Sequence, residues 1–169
     1  MVLPYNSVMT LMITLHALGA SLALLLGPVN LYRTPPGDRL HRRVGRVWVI
    51  AMYWTAASSF LIRQLNHGAF SWLHGLSAFT LVTLTIGLWA AMSGRIDLHR
   101  GMMRGTYIGV VGAFIGAVVV PQRDIPQLAV HQPFVLLAAV LSLVGVAVAV
   151  VWALRVPRGA ESLQRREVT

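Results

Sequence analysis

The stretch "LHRRVGR" at positions 40–46 sits between two long apolar runs, and "LHRGMMR" repeats its outline at 98–104. Each reads Leu-His-Arg, three further residues, then Arg. Read outward from this pair, the chain alternates long apolar segments with short arginine-bearing connections. A histidine stands twice at the mouth of such a segment, and the rest of the sequence decides whether it is a surface anchor or part of a site.

Composition sets the class. The 169 residues are 56% hydrophobic and 11% charged, with a mean hydropathy of +0.68. A soluble domain carries about a quarter charged residues, so the chain reads as a membrane protein. Its net charge of +9 would suit a nucleic-acid partner. The basic residues are all Arg, however, and they fall between apolar runs, so topology accounts for them and no nucleic-acid partner is expected. There is no Cys, which excludes disulfides, thiolate metal sites, iron–sulfur clusters and covalent haem attachment through C-x-x-C-H. No Lys or Arg precedes the first apolar run and no A-x-A-like cleavage site follows it, so it reads as a span rather than a signal peptide.

A helix needs about 20 mostly apolar residues to cross the bilayer core. Five segments meet that length: Ser7–Tyr32, Val44–Leu65, Phe70–Ser93, Gly101–Val120 and Phe134–Val156. The connections "TPPGD", "NHGAF" and "PQRDIPQ" supply turn and breaker residues. Residues 1–156 therefore form one transmembrane domain, with hairpins at about 7–65 and 66–120, a fifth helix at about 134–156, and a polar tail at 157–169. Arg33, Arg39, Arg42, Arg43 and Arg46 surround the first loop, Arg95, Arg100 and Arg104 the third, and Arg155, Arg158, Arg165 and Arg166 the tail. The positive-inside rule then expects the N-terminus outside, the C-terminus in the cytoplasm, and a multi-pass location in the inner (plasma) membrane.

The repeat extends beyond the two quoted stretches. His41 and His99 stand 58 positions apart, as do His16 and His74, so His16–His41 and His74–His99 share a separation of 25. "HALGA" answers "HGLSA" between them. The fold class expected is all-α: a four-helix bundle built from two parallel helical-hairpin repeats plus a fifth transmembrane helix. A pseudo-two-fold axis along the membrane normal would set His16 opposite His74 in the outer half and His41 opposite His99 near the cytoplasmic face.

Histidine inside a span reads as functional by default, and neutral imidazole is a common metal ligand. Two facing imidazoles without Cys, Asp or Glu supply an axial pair. A zinc ion wants more ligands, whereas a haem iron needs no others. The small residues Gly19, Ala20, Ala23 and Gly27 share a face with His16, and Gly105, Gly109, Gly112 and Gly116 recur on helix four. They allow either close helix approach or room for a flat macrocycle. Arg42, Arg46, Arg100 and Arg104 stand near the cytoplasmic histidines and are candidates for haem propionates, while lipid headgroups account for them equally well. Met102 and Met103 read as packing residues, and His67 and His131 as interfacial ones.

Four histidines on four consecutive helices, paired one-with-three and two-with-four, resemble the ascorbate-reducible dihaem transmembrane cytochromes b. The chain also resembles an uncharacterised family of bacterial integral membrane proteins, a domain of unknown function. That likeness covers about residues 10–125 through His16, "DRLHRRVGRVW", "WLHGLSAFT" and "LHRGMMRGTY". The cytochrome resemblance implies two non-covalent haem b groups. His16 and His74 would ligate an outer haem, His41 and His99 an inner one, and the protein would be a transmembrane electron-transfer oxidoreductase. It departs from those cytochromes in having five spans rather than six and no ascorbate-site motif. A quinol or small reductant would be the donor, and a second copy or a redox protein is a candidate partner. Two other readings stay open: a cofactor-free membrane scaffold or assembly subunit, and a protein that handles haem or metal transiently. No carboxylate lies within a span and no Ser-His-Asp grouping or phosphate loop is present, so hydrolase chemistry is not expected.

Overall fold

The computed structural model describes residues 5–62, 72–119 and 124–155, and all regular structure among them is helical. The elements are α1 (Tyr5–Leu31), α2 (Arg39–Ser59), α3 (Trp72–Met92), α4 (Ile96–Val119), α5 (Asp124–His131) and α6 (Pro133–Arg155). The chain is an all-α polytopic membrane protein. Helices α1 and α2 form one hairpin and α3 and α4 another. Within the bundle α1 lies against α2 and α4, and α3 against the same two helices, so α2 and α4 face each other across a diagonal. Helix α6 lies against α1 and α2.

Among the described residues four helices, α1, α3, α4 and α6, are long and apolar enough to cross a membrane on their own. Helix α2, expected as a fifth such span, is not among them. Arg39, Arg42, Arg43 and Arg46 occupy its first turns, and it ends at Ser59 rather than continuing toward Leu65. Its 21 residues still rise about 31 Å, comparable to a hydrocarbon core of about 30 Å. Burial against its neighbours takes the place of uniform apolarity: Leu40, Val44, Trp48, Ala51, Met52 and Ala56 form a stripe in the core, beside Ala23 and Leu26 of α1 and Leu84 of α3.

Helices α2 and α4 start earlier than hydropathy alone suggests. Helix α2 begins at Arg39 because Asp38 caps it, its carboxylate accepting the His41 N–H at 2.7 Å. Helix α3 ends in a glycine reversal: Gly94 takes φ +71°, and Arg95 N–H donates to the Ala90 carbonyl at 2.8 Å, the closure that only a left-handed residue permits. Helix α4 then starts at Ile96 rather than Gly101. Both histidines of the quoted stretches thus lie inside the first turn of a helix. The segment expected as a loop after α4 also contains a helix, because Pro126 sits in the first turn of α5, where its missing N–H costs nothing. His67, the hairpin connection around it and the polar tail lie outside the described residues.

Side-chain donors stitch the helices together. Pro28 leaves the Leu24 carbonyl without its usual i+4 donor, and Tyr107 of α4 supplies the replacement, its hydroxyl donating at 3.2 Å. Gly27 makes this possible, because a Cβ there would meet the Tyr107 ring. Trp48 and Trp54 of α2 donate to the Ala23 and Leu15 carbonyls of α1, at 2.9 and 3.0 Å. Between α2 and α3, Tyr53 bonds Thr85 at 2.7 Å and Ser59 bonds Ser77 at 2.6 Å. Thr83 and Thr106 join α3 to α4 at 3.0 Å. Small polar residues at close helix contacts are a recurrent membrane solution.

Candidate functional site

Two of the four expected histidines meet. His41 in the first turn of α2 and His99 in the first turn of α4 place their rings 6.5 Å apart between centroids, at 78° to one another. They come from diagonally opposed helices and from the same, arginine-rich end of the bundle. The convergence follows from the hairpins. Asp38 fixes the turn carrying His41, and the Gly94 reversal fixes the turn carrying His99.

The ring nitrogens are differently engaged. His99 Nδ1 lies 2.9 Å from the Gly87 carbonyl, to which it donates, leaving Nε2 for another partner. The His41 ring approaches the Asn30 main chain, while its Nδ1 is buried with no hydrogen-bond partner. The Asn30 side-chain oxygen is buried and unpartnered as well. Two orphaned polar atoms at one end of a bundle call for a missing partner, since buried polar groups are nearly always satisfied.

The other two histidines both adjoin the far end of α2. His16 on α1 bonds through Nδ1 to the Ser58 hydroxyl at 2.9 Å. His74, in the first turn of α3, is buried, its ring 5.8 Å from that of Phe60. Each is thus placed by its contact with the last turn of α2 and the residue after it.

The donor set fits haem better than a bare metal ion. No group of three His, Cys, Asp or Glu residues that could hold a metal occurs among the described residues. Two imidazole nitrogens bound to one metal at about 2.0–2.1 Å would stand about 4 Å apart and put ring centroids roughly 6 Å apart, close to the spacing of His41 and His99. Metal-ligating histidines usually give their second N–H to a carbonyl or similar acceptor, as His99 does to Gly87, and the His16 Nδ1 is likewise engaged, by the Ser58 hydroxyl.

The surrounding expectations divide. On α1 the small residues serve close approach, not an open cradle: Gly19 faces Trp54 and Thr55, and Gly27 faces Tyr107 and Trp48. On α4, Cβ atoms at Gly105, Gly112 and Gly116 would meet nothing, and at Gly109 only Leu76 at 3.9 Å. At 100° per residue, Gly105, Gly112 and Gly116 stand about 100–140° around α4 from His99, so the space they leave is not beside its ring. Met103 packs on Gly87. Arg42, Arg46, Arg100 and Arg104 are exposed. Arg42 donates to the Gly37 carbonyl at 2.6 Å, and Arg100 lies 3.9 Å from Asp97. Exposed His131 fits an interfacial role.

Sequence reasoning passed over Asp38, Ser58, Gly87 and Asn30. Asp38 alone carried a local signal, an acid three residues before a helix-starting histidine. Its carboxylate is held well below the usual carboxylate range by the hydrogen-bonded Arg33 guanidinium, then by the His41 N–H. Arg33 makes both bonds, at 2.8 and 2.5 Å.

A bundle of apolar helices with two histidines converging at one end defines a polytopic membrane protein with a candidate intramembrane ligand site. The family model described as "Predicted membrane protein (DUF2306)" matches residues 13–155, and the chain belongs to that family. No curated protein and no solved structure matches it.

Proposed function

We propose that this protein is a small membrane cytochrome of the b type, holding haem between histidines of diagonally opposed helices and passing electrons through the bilayer. The observation that carries the reading is the approach of His41 and His99 to 6.5 Å from two helices whose backbones stay apart. Haem, when bound, supplies one-electron chemistry. The chain's own residues would supply the imidazole nitrogens that hold it and fix the rings. The Gly87 carbonyl orients His99 and the Ser58 hydroxyl orients His16. His16 and His74 would hold a second, outer haem, at the depth that their shared 25-residue spacing to His41 and His99 suggests.

The arginine bias supports an orientation with the His41–His99 end toward the cytoplasm of a plasma membrane. A quinol or small reductant would donate at the other end. Arg42, Arg46, Arg100 and Arg104 ring the His41–His99 end and offer charge to propionates.

The test is an absorption spectrum of the detergent-purified protein, oxidised and dithionite-reduced, with pyridine-haemochrome stoichiometry. Two haems per chain are expected, with a sharp reduced α-band. His41→Ala or His99→Ala should remove one haem, and His16→Ala or His74→Ala the other. A folded, colourless protein from haem-replete cells overturns the proposal and leaves the scaffold reading. Substoichiometric haem that washes off replaces it with transient handling.

A further inference from the structure

Between α1 and α6 lies a groove of about 370 Å³ whose lining includes none of the histidines. Leu25 and Val29 of α1 and Val144, Val148 and Trp152 of α6 line it, and Arg155 closes one end. From Val144 to Arg155 the helix rises about 16 Å, half the hydrocarbon thickness of about 30 Å. The groove is therefore one leaflet long, aliphatic along its length, and capped by an indole and a guanidinium at the end where a headgroup begins. Aromatic and basic residues in that order mark the membrane–water boundary.

Among the described residues the charge at the capped end is unbalanced. Arg155 is exposed, lies in the last turn of α6, and takes part in no ion pair among the described residues. Arg43 of α2 reaches the same turn, donating to the Leu154 carbonyl at 2.9 Å. The acid on the adjoining loop, Asp38, is engaged by Arg33. An occupant with an apolar tail and a negative head complements both ends of this groove at once.

We propose that the α1–α6 groove binds one acyl chain of an anionic phospholipid, with the lipid phosphate at the Arg155 guanidinium. The site is separate from the histidines and stands or falls without the haem proposal. The test is native mass spectrometry of the detergent-solubilised full chain, titrated with phosphatidylglycerol or with phosphatidylcholine of the same acyl chains. Phosphatidylglycerol should be retained preferentially, with one molecule held above the rest. Arg155→Gln should weaken that retention about fivefold, the effect of one arginine at an anionic surface, and bring it close to phosphatidylcholine. Val148→Phe fills the groove from a position already 62% exposed, so the fold is not at stake, and it should lower retention of both lipids. Arg95→Gln removes the same charge at the same end of the bundle, where Arg95 lies over Trp89, and should leave retention unchanged. Equal losses for Arg95→Gln and Arg155→Gln would reduce the effect to general surface attraction and overturn the site. Unchanged retention in Val148→Phe would overturn the seat of the acyl chain.

Discussion

The two hairpins carry the same histidine at the same position, in the first turn of their second helix, and secure it by opposite means. In the first hairpin the turn is held by charge: Asp38 caps α2 and binds Arg33 across the loop. In the second it is held by backbone conformation, the left-handed Gly94 closing α3 onto Arg95. The helix contacts beside the histidines are inverted too. Gly45 of α2 admits the Asn30 amide of α1, whereas Gly87 of α3 admits Met103 of α4. Gly45 and Met103 occupy corresponding places 58 positions apart, so the glycine has changed helices while the close approach is retained. One geometry can be reached from two local chemistries, and that makes the ring approach, rather than either scaffold, the feature held in common.

The cross-hairpin contacts differ in a similar way, and there the largest effect on stability is expected. Gly27 of α1 lies under the Tyr107 ring, while the position 58 residues on, Thr85 of α3, bonds the Tyr53 hydroxyl. Gly27→Ala would push a Cβ into a ring that its own hydroxyl bond to Leu24 pins in place, with Trp48 Nε1 another 3.3 Å away. A loss of about 2–3 kcal/mol is expected, at the upper end of ordinary overpacking. Thr85→Ala removes one polar contact between helices, worth about 0.6 kcal/mol in membrane proteins. Denaturant unfolding in micelles followed by circular dichroism compares the two, and a Gly27→Ala protein as stable as Thr85→Ala would break the asymmetry.

The next effect separates the scaffolds beneath the histidines. Gly87→Ala meets both the Met103 methyl and, at 3.0 Å, the Met102 Cβ, and the residue's own carbonyl is the acceptor for His99. Gly45→Ala meets only the mobile end of Asn30 at 2.9 Å. A cost of about 1–2 kcal/mol is expected for Gly87→Ala and less than about 1 for Gly45→Ala. If haem binds at that end as proposed, Gly87→Ala should also shift its midpoint potential, whereas Gly45→Ala should not. Equal stabilities and unmoved potentials in both variants would remove Gly87 from the support of His99.

Much of this was legible in the sequence, and what was not has a common cause. Apolar run length gave the helices, and the 58-residue offset pointed to His41 facing His99, because both are properties of the chain read in order. The partners Ser58 and Gly87 were invisible, since a hydroxyl or a backbone carbonyl becomes a histidine acceptor only once another helix is beside it. The glycines misled for the same reason: Gly27 and Gly112 look alike in sequence, and only the neighbour decides that one is filled by a tyrosine and the other by nothing. The apolar run alone sets the second span at Val44–Leu65, whereas α2 runs from Arg39 to Ser59, because a polar cap at Asp38 and burial against α1 and α3 fix its length. Sequence pattern also read Pro126 as a breaker, although at the start of α5 the same ring is a helix starter.

The smallest expected effect tests the charge-held loop against its conformation-held counterpart. Asp38→Asn keeps a competent helix cap but gives up the ion pair with Arg33, so a modest fall in Tm is expected at pH 7. The folded carboxyl titrates below its ordinary value, so in the interval between the two values the unfolded state binds more protons and stability rises with pH. The contribution is therefore complete above the ordinary carboxylate value of about 3.9 and disappears only as pH falls through the depressed one. The Tm gap between the native protein and Asp38→Asn should accordingly stay constant from pH 7 to pH 5, as roughly fixed by that value, and close only in strong acid. Asp97, fully exposed and 3.9 Å from Arg100, has no comparable role, since the second hairpin turns on Gly94. Asp97→Asn should leave Tm unchanged at every pH, and a gap as large as that of Asp38→Asn would erase the distinction between the two loops.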